Sequence, residues 1–322
     1  MVNCSDDPPV IVKGNRAADK RLRPRTQFLP RAKLMSQPFV NRPPETPDTR
    51  HYENFPVASW LCPARLRPPI AAIYGFARTA DDIADEGDAP AQIRLDDLAD
   101  MRQDLEACAK RQADSGRWPH VFGPLAEMIA KFNLPVSLLA DLLEAFEQDV
   151  VKSRDAAGYE GRTDLLAYCR LSANPVGRLL LHLYGIYDER SLVMSDNICT
   201  ALQLINFWQD LGVDIARGRY YLPRQDCEAH GVSQEELKLL SQTPEATILI
   251  ANQAHYARDL MLKGSKLALQ IPGRAGWELR LVVQGGLRIL DKIEAINFAT
   301  LSRRPKITAW DIPVMLWRAM WM

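Results

Sequence analysis

"RPPIAAIYGFARTADDIADEG", residues 67–87, decides the fold class. Its prolines and closing glycine are start and stop signals for a helix. Between them Ile70, Ile73, Ala77, Ala80 and Ala84 recur at helical spacing. A second stripe holds Tyr74, Arg78, Asp81, Asp82 and Asp85. Its three carboxylates crowd the C-terminal end of the helix, where mutual repulsion and the helix dipole both act against negative charge. Such a stripe must face water or a cation.

A second cluster has the same character. "QLINFWQDLGVD", residues 203–214, places Asn206, Asp210 and Asp214 at steps of four, which puts them on one helical face about 6 Å apart per step. Leu204, Ile205, Phe207, Trp208, Leu211 and Val213 surround them, so the segment is expected to be enclosed by protein. An unpaired buried charge costs several kcal/mol or more. Arg217 and Arg219 are the fixed cations near in sequence. A hard divalent metal is the other solution, because Mg²⁺ rests on one or two carboxylates while substrate phosphate and water complete its shell. There is no GxxxxGK[ST] and no strand–GxGxxG–helix context for phosphate, and no HExxH for zinc. Phosphate would then rest on metal and on Arg78, Arg217 and Arg219, with Tyr74, Tyr168, Tyr220 and Tyr221 as aromatic neighbours.

The rest of the chain reads as helix after helix. Residues 1–50 are rich in proline and charge without any period, and are expected to form a disordered or loosely attached tail. Helical patterns follow over 91–111, 120–135, 136–154, 163–186 with a break near Asn174–Pro175, 191–218, 233–240, 243–272 and 275–304. No run has sheet periodicity, so residues 51–322 are expected to form a single all-α domain. Formal net charge is zero, which gives no reason to expect nucleic acid as a partner. The six cysteines include no CxxC pair, and reduced cytoplasmic thiols are the default. No apolar run suggests a transmembrane helix or a signal peptide, so any membrane contact is expected to be peripheral, at the inner face of the cell membrane.

"YGFARTADDIAD" and "QLINFWQDLGVDIARGRYYLP" resemble the two aspartate-rich signatures of the squalene/phytoene synthase family, and the likeness extends over roughly residues 51–305. The opening from His51 to Asp88 is most similar to a hopanoid-pathway branch of that family. The resemblance implies an isoprenoid synthase fold around a deep central cavity. It implies three Mg²⁺ ions with bound diphosphate, held by Asp81, Asp85, Asn206, Asp210 and Asp214, with Tyr168 also in the catalytic set. Substrate-binding positions fall on His51, Tyr74, Arg78, Asn174, Arg219 and Tyr221. The implied reaction converts presqualene diphosphate and water to hydroxysqualene and diphosphate, without NADPH. Because substrate and product are lipids, it also implies peripheral contact with membrane lipid and with other hopanoid-pathway enzymes.

Two departures from the family pattern stand out. Glu53 and Gln209 replace basic residues that help hold diphosphate in relatives, which agrees with an enzyme that handles a single diphosphate. "SANPVG", residues 172–177, replaces an "AGTVG"-like stretch, and a polar Asn174 or Gln203 facing the cation would hold the attacking water. Two alternatives stay open. One is an enzyme of the same fold that condenses two farnesyl diphosphates to presqualene diphosphate or a C30 hydrocarbon. The other is a helical scaffold or lipid carrier with solvated acidic faces.

Overall fold

A computed structural model describes residues 62–322. The expected tail over residues 1–50, and His51, Glu53 and Phe55, lie outside the described residues. Among the described residues there are thirteen α-helices and no strand. They are α1 (Arg67–Asp85), α2 (Ala91–Ala109), α3 (Pro119–Phe132), α4 (Val136–Arg154), α5 (Arg162–Ser172), α6 (Asn174–Tyr184) and α7 (Glu189–Ala216). After these come α8 (Arg224–Ala229), α9 (Gln234–Lys238), α10 (Pro244–Ser265), α11 (Leu267–Gln270), α12 (Gly273–Ala295) and α13 (Ile312–Met320). No helix among them is long and apolar enough to cross a membrane.

Local chemistry sets the boundaries. Helix α1 starts on two prolines and its chain turns away at Gly87, with φ +76°. Asn133 ends α3 in the left-handed region, which its short polar side chain tolerates. The expected kinked helix over 163–186 is in fact two helices. Ala173 leaves helical register and Pro175 sits in the first turn of α6, where its missing N–H costs nothing. Asp188 caps α7 by accepting from Ser191 N at 2.9 Å, and Thr243 caps α10 by accepting from Ala246 N at 3.1 Å. The pattern over 243–272 likewise divides into α10 and α11, and α8 and α13 join the helices already expected.

Two hydrophobic clusters build the core. The first packs α1 to α4 around Phe76, Phe122, Leu98 and Met101, with Leu179 and Leu183 of α6. The second gathers α5 and α7 to α12 around Trp208, Ile205, Leu249 and Leu290. Helices α7 and α10 approach closely because Gly264 has no side chain. A Cβ there would stand 2.5 Å from Met194 O of α7. Between the two clusters lies a cavity of about 420 Å³. Its walls come from Ile70, Ile73 and Ala77 of α1, Leu179 to Leu181 of α6, Ile198 of α7, and Leu279 and Val282 of α12. The apolar stripe of α1 is therefore divided in use. Ala80 and Ala84 pack the core, while Ile70 and Ala77 face the cavity.

Candidate active site

The polar end of the cavity is the face of α1 that carries the first acidic cluster, and Tyr74, Arg78 and Asp81 line it. Arg78 reaches Asp81 at 3.0 Å, Asp82 at 2.7 Å and Glu86 at 2.8 Å, so a single guanidinium organises the end of the helix. Asp85, one turn beyond Asp81, meets Arg219 at 2.6 Å. Arg219 arrives there because α7 ends at Ala216 and Gly218, with φ +79°, folds the chain back so that Arg219 N donates to Asp214 O at 2.9 Å. The two signatures, far apart in sequence, thus face each other across the Asp85–Arg219 pair.

The second signature occupies the last turns of α7. Asp210 is gripped by Arg304, whose Nε and Nη2 donate to its two carboxylate oxygens at 2.5 and 2.9 Å. Gly212 makes this grip possible. The turn after α12 passes against it, with Gly212 N donating to Thr300 O at 3.3 Å, and a Cβ at Gly212 would stand 2.4 Å from Leu301 O. Gln209 Nε2 donates to Pro305 O at 2.7 Å and ties down the same segment. Arg304, 94 residues away in sequence, thus brings a cation to Asp210 beside Gln209.

Beneath the acids sits an aromatic group. Tyr221 stacks on Phe207 with ring centres 3.7 Å apart, and Tyr159 and Tyr168 pack beside them. Tyr168 Oη donates to Asp149 Oδ2 at 2.6 Å, and burial followed by this carboxylate holds the phenol well above its ordinary pKa. Asp149 was not read from the sequence. A signal existed, because it follows Ala145 by four and Leu142 by seven, on the buried stripe of α4. Arg304 had no comparable local signal, since only the tertiary path after α12 brings it to Asp210.

Three of these acids hold protons tightly. Burial, then the neighbouring Asp85, pushes Asp81 up to about 6. Burial, then Asp210, pushes Asp214 up to about 6. Burial pushes Asp149 up to about 7, against the pull of the Tyr168 hydrogen bond, and Asp85 adds to the rise. Burial is the first cause in all three and nearby carboxylates add to it, so a cation placed among these acids would favour their ionised forms. Among the described residues no group of three or more His, Cys, Asp or Glu is gathered so as to hold an ion unaided. Asp81, Asp85, Asp210 and Asp214 are nonetheless oxygen donors, the class that Mg²⁺ takes one or two at a time while phosphate and water complete its shell.

A pH dependence follows. An unfolded aspartate loses its proton near pH 3.9, whereas Asp81, Asp214 and Asp149 keep theirs to about 6, 6 and 7. Across that window the folded chain binds more protons than the unfolded one, so stability falls as pH rises. In chelator, melting temperature should drop between about pH 5 and pH 8, and Asp149→Asn should flatten the drop while keeping an acceptor for Tyr168. Added Mg²⁺ should raise the melting temperature more at the higher pH, because the metal holds the ionised form. Thermal unfolding at the two pH values, with and without Mg²⁺, checks all three.

Of the remaining expected site residues, Tyr74 and Arg78 line the cavity and Asn206 is half-buried on α7. Asn174 is placed elsewhere. It is buried between α6 and α7, where its Oδ1 accepts from Thr200 at 2.9 Å, and it is not part of the cavity wall. Its side chain is occupied in packing the helix start, which corrects the idea that it faces the substrate.

A family model for squalene/phytoene synthase matches residues 49–311. The chain belongs to that family. Within it, hydroxysqualene synthase of Rhodopseudomonas palustris is 34% identical over 248 residues, covering 76% of this chain and 81% of that protein. Hydroxysqualene synthase of Zymomonas mobilis is 40% identical over 235 residues, covering 71% and 75%. The crystal structure of squalene synthase HpnC from Alicyclobacillus acidocaldarius shares 34% identity and superposes with a TM-score of 0.69, covering 77% of this chain and 90% of that one. These findings bear out the all-α isoprenoid synthase fold and the resemblance to the squalene/phytoene synthases. They also set aside the non-catalytic scaffold, because the family is one of enzymes.

Proposed function

We propose that the protein converts presqualene diphosphate and water into hydroxysqualene and diphosphate. The observation that carries this reading is the apolar cavity whose polar end is the Tyr74–Arg78–Asp81 face, in a chain similar to enzymes named hydroxysqualene synthase. A long isoprenoid body suits the leucine-lined walls, and a diphosphate head suits the arginines at the end. Asp81, Asp85, Asn206, Asp210 and Asp214 would hold Mg²⁺, which would supply charge to neutralise the departing diphosphate. Arg78 and Arg219 bind and orient the phosphate oxygens. The carbon–oxygen bond to diphosphate breaks with its electron pair leaving on oxygen, and the resulting cyclopropylcarbinyl cation rearranges. A water oxygen then bonds to carbon and releases its proton. Tyr168 and Asp149 form a buried donor–acceptor pair with a carboxylate pKa near 7, able to take such a proton. Of the rings near this path, Tyr74 lines the cavity and can offer a π face to positive charge. No nicotinamide enters this scheme, since water takes the place of hydride.

One observation favours a second reading, in which two farnesyl diphosphates are condensed. Arg304 adds a cation at the second signature, where a further diphosphate would need one. Product analysis without NADPH separates the two. Presqualene diphosphate in ¹⁸O-labelled water should give hydroxysqualene carrying the label, and farnesyl diphosphate should give little or no C30 product. Rapid C30 formation from farnesyl diphosphate establishes the condensing reading instead, and unlabelled hydroxysqualene refutes water capture.

A further inference from the structure

Helix α13 is fastened to α12 along one side only. Ala319 is fully buried, and its carbonyl accepts from Arg280 Nη1 at 3.5 Å. Arg318 reaches Asp291 at 2.5 Å. At the other end Asp311, 2% exposed, accepts from Arg288 at 2.8 Å and Lys292 at 2.5 Å. The opposite face carries no charge. Pro313, Leu316, Trp317, Met320 and Trp321 follow one another at helical spacing there and all are exposed, with Trp317 and Trp321 also bordering a groove shared with Leu262 of α10 and Leu287 of α12. Trp310, Trp317 and Trp321 show 87%, 63% and 71% of their surface, far beyond what scattered surface hydrophobics require.

We propose that this face docks on the surface of an anionic lipid bilayer, with α13 lying in the plane of the headgroups. Tryptophan is the side chain that favours that depth, with its ring in the apolar boundary and its N–H among polar groups. Charge points the same way. Between residues 303 and 321 the exposed charged side chains are Arg303, Lys306 and Arg318, all cations, and the lone acid, Asp311, is buried. With Arg318 paired to Asp291, the outward cations leading into this apolar helix are Arg303 and Lys306, which complement anionic headgroups. A two-fold contact between copies would instead set these cations against one another. The ion pairs at both ends hold α13 ready, so little ordering cost accompanies docking. Because α12 presents Leu279 and Val282 to the cavity on its other side, docking leaves the cavity one helix away from lipid. The relevance of that nearness to a lipid substrate rests on the proposed function, whereas the binding does not.

Sedimentation of the full chain with phosphatidylcholine vesicles containing a minority of phosphatidylglycerol tests this without any turnover. The wild type should partition onto these vesicles, and brominated lipid should quench part of its tryptophan fluorescence. The triple variant W310S/W317S/W321S should lose at least about tenfold in affinity and most of that quenching, with an unchanged circular dichroism spectrum. Arg303→Gln with Lys306→Gln, outside the helix, should weaken binding by roughly fivefold per residue, and only where phosphatidylglycerol is present. Failure of the wild type to bind these vesicles overturns the proposal. So does a concentration-dependent dimer that the triple variant abolishes while vesicle binding persists, since the face would then belong to a second copy.

Discussion

Asp81→Ala and Asp210→Ala should each lower turnover by about a thousandfold or more, with the helical circular dichroism spectrum unchanged. Both side chains lie on the site face and contribute little apolar packing, so the fold loses only a partly exposed ion pair, a contact of small net worth. The chemistry loses far more. In the proposed reaction, metal-assisted departure of the diphosphate would draw several kcal/mol from this carboxylate scaffold, and about 4 kcal/mol corresponds to the thousandfold loss. Asp82→Ala provides the contrast. Asp82 pairs with Arg78 and is not part of the expected metal set, so its loss should cost less than about tenfold. Steady-state rates at saturating Mg²⁺ decide the matter. An Asp81 variant that keeps near-normal rate removes that residue from the metal set, and an Asp82 variant as damaged as Asp81 shows that Arg78 geometry is what was lost.

Arg219→Ala should have opposite effects on two ligands. Its guanidinium lies between the signatures, bonded to Asp85 and felt by Asp81, Asp149 and Asp214. Removing it takes a cation out of competition for those carboxylates, so the free protein should bind Mg²⁺ more tightly at pH about 8. It also removes a forked donor to phosphate, so turnover should fall by about a hundredfold. Arg219→Lys should restore part of the charge and little of the rate, because an ammonium does not reproduce two parallel hydrogen bonds. Calorimetry with Mg²⁺ alone, beside kinetics, tests both halves. Weaker Mg²⁺ binding in the alanine variant would mean that Arg219 organises the metal site rather than competing with it.

The all-α class and most helix boundaries were determined by the sequence itself, because spacing, caps and breakers act within a few residues. The apolar period of α1, the prolines that open it, the left-handed Asn133 and the Asn174–Pro175 interruption are local signals, and each marks a helix or its end. The two acidic clusters were legible for the same reason, since a step of four places side chains on one face whatever the rest of the chain does. What those acids meet was decided by tertiary structure alone. Arg304 reaches Asp210 only because Gly212 lets the turn after α12 pass close by, and Asn174 turns from the cavity because Thr200 stands opposite. Contacts of long sequence separation depend on how two hydrophobic clusters pack, and no local period records that. Helix α13 shows the same limit. Its cations and tryptophans are plain in the sequence, but only its docking on α12 turns one face inward and leaves the other exposed.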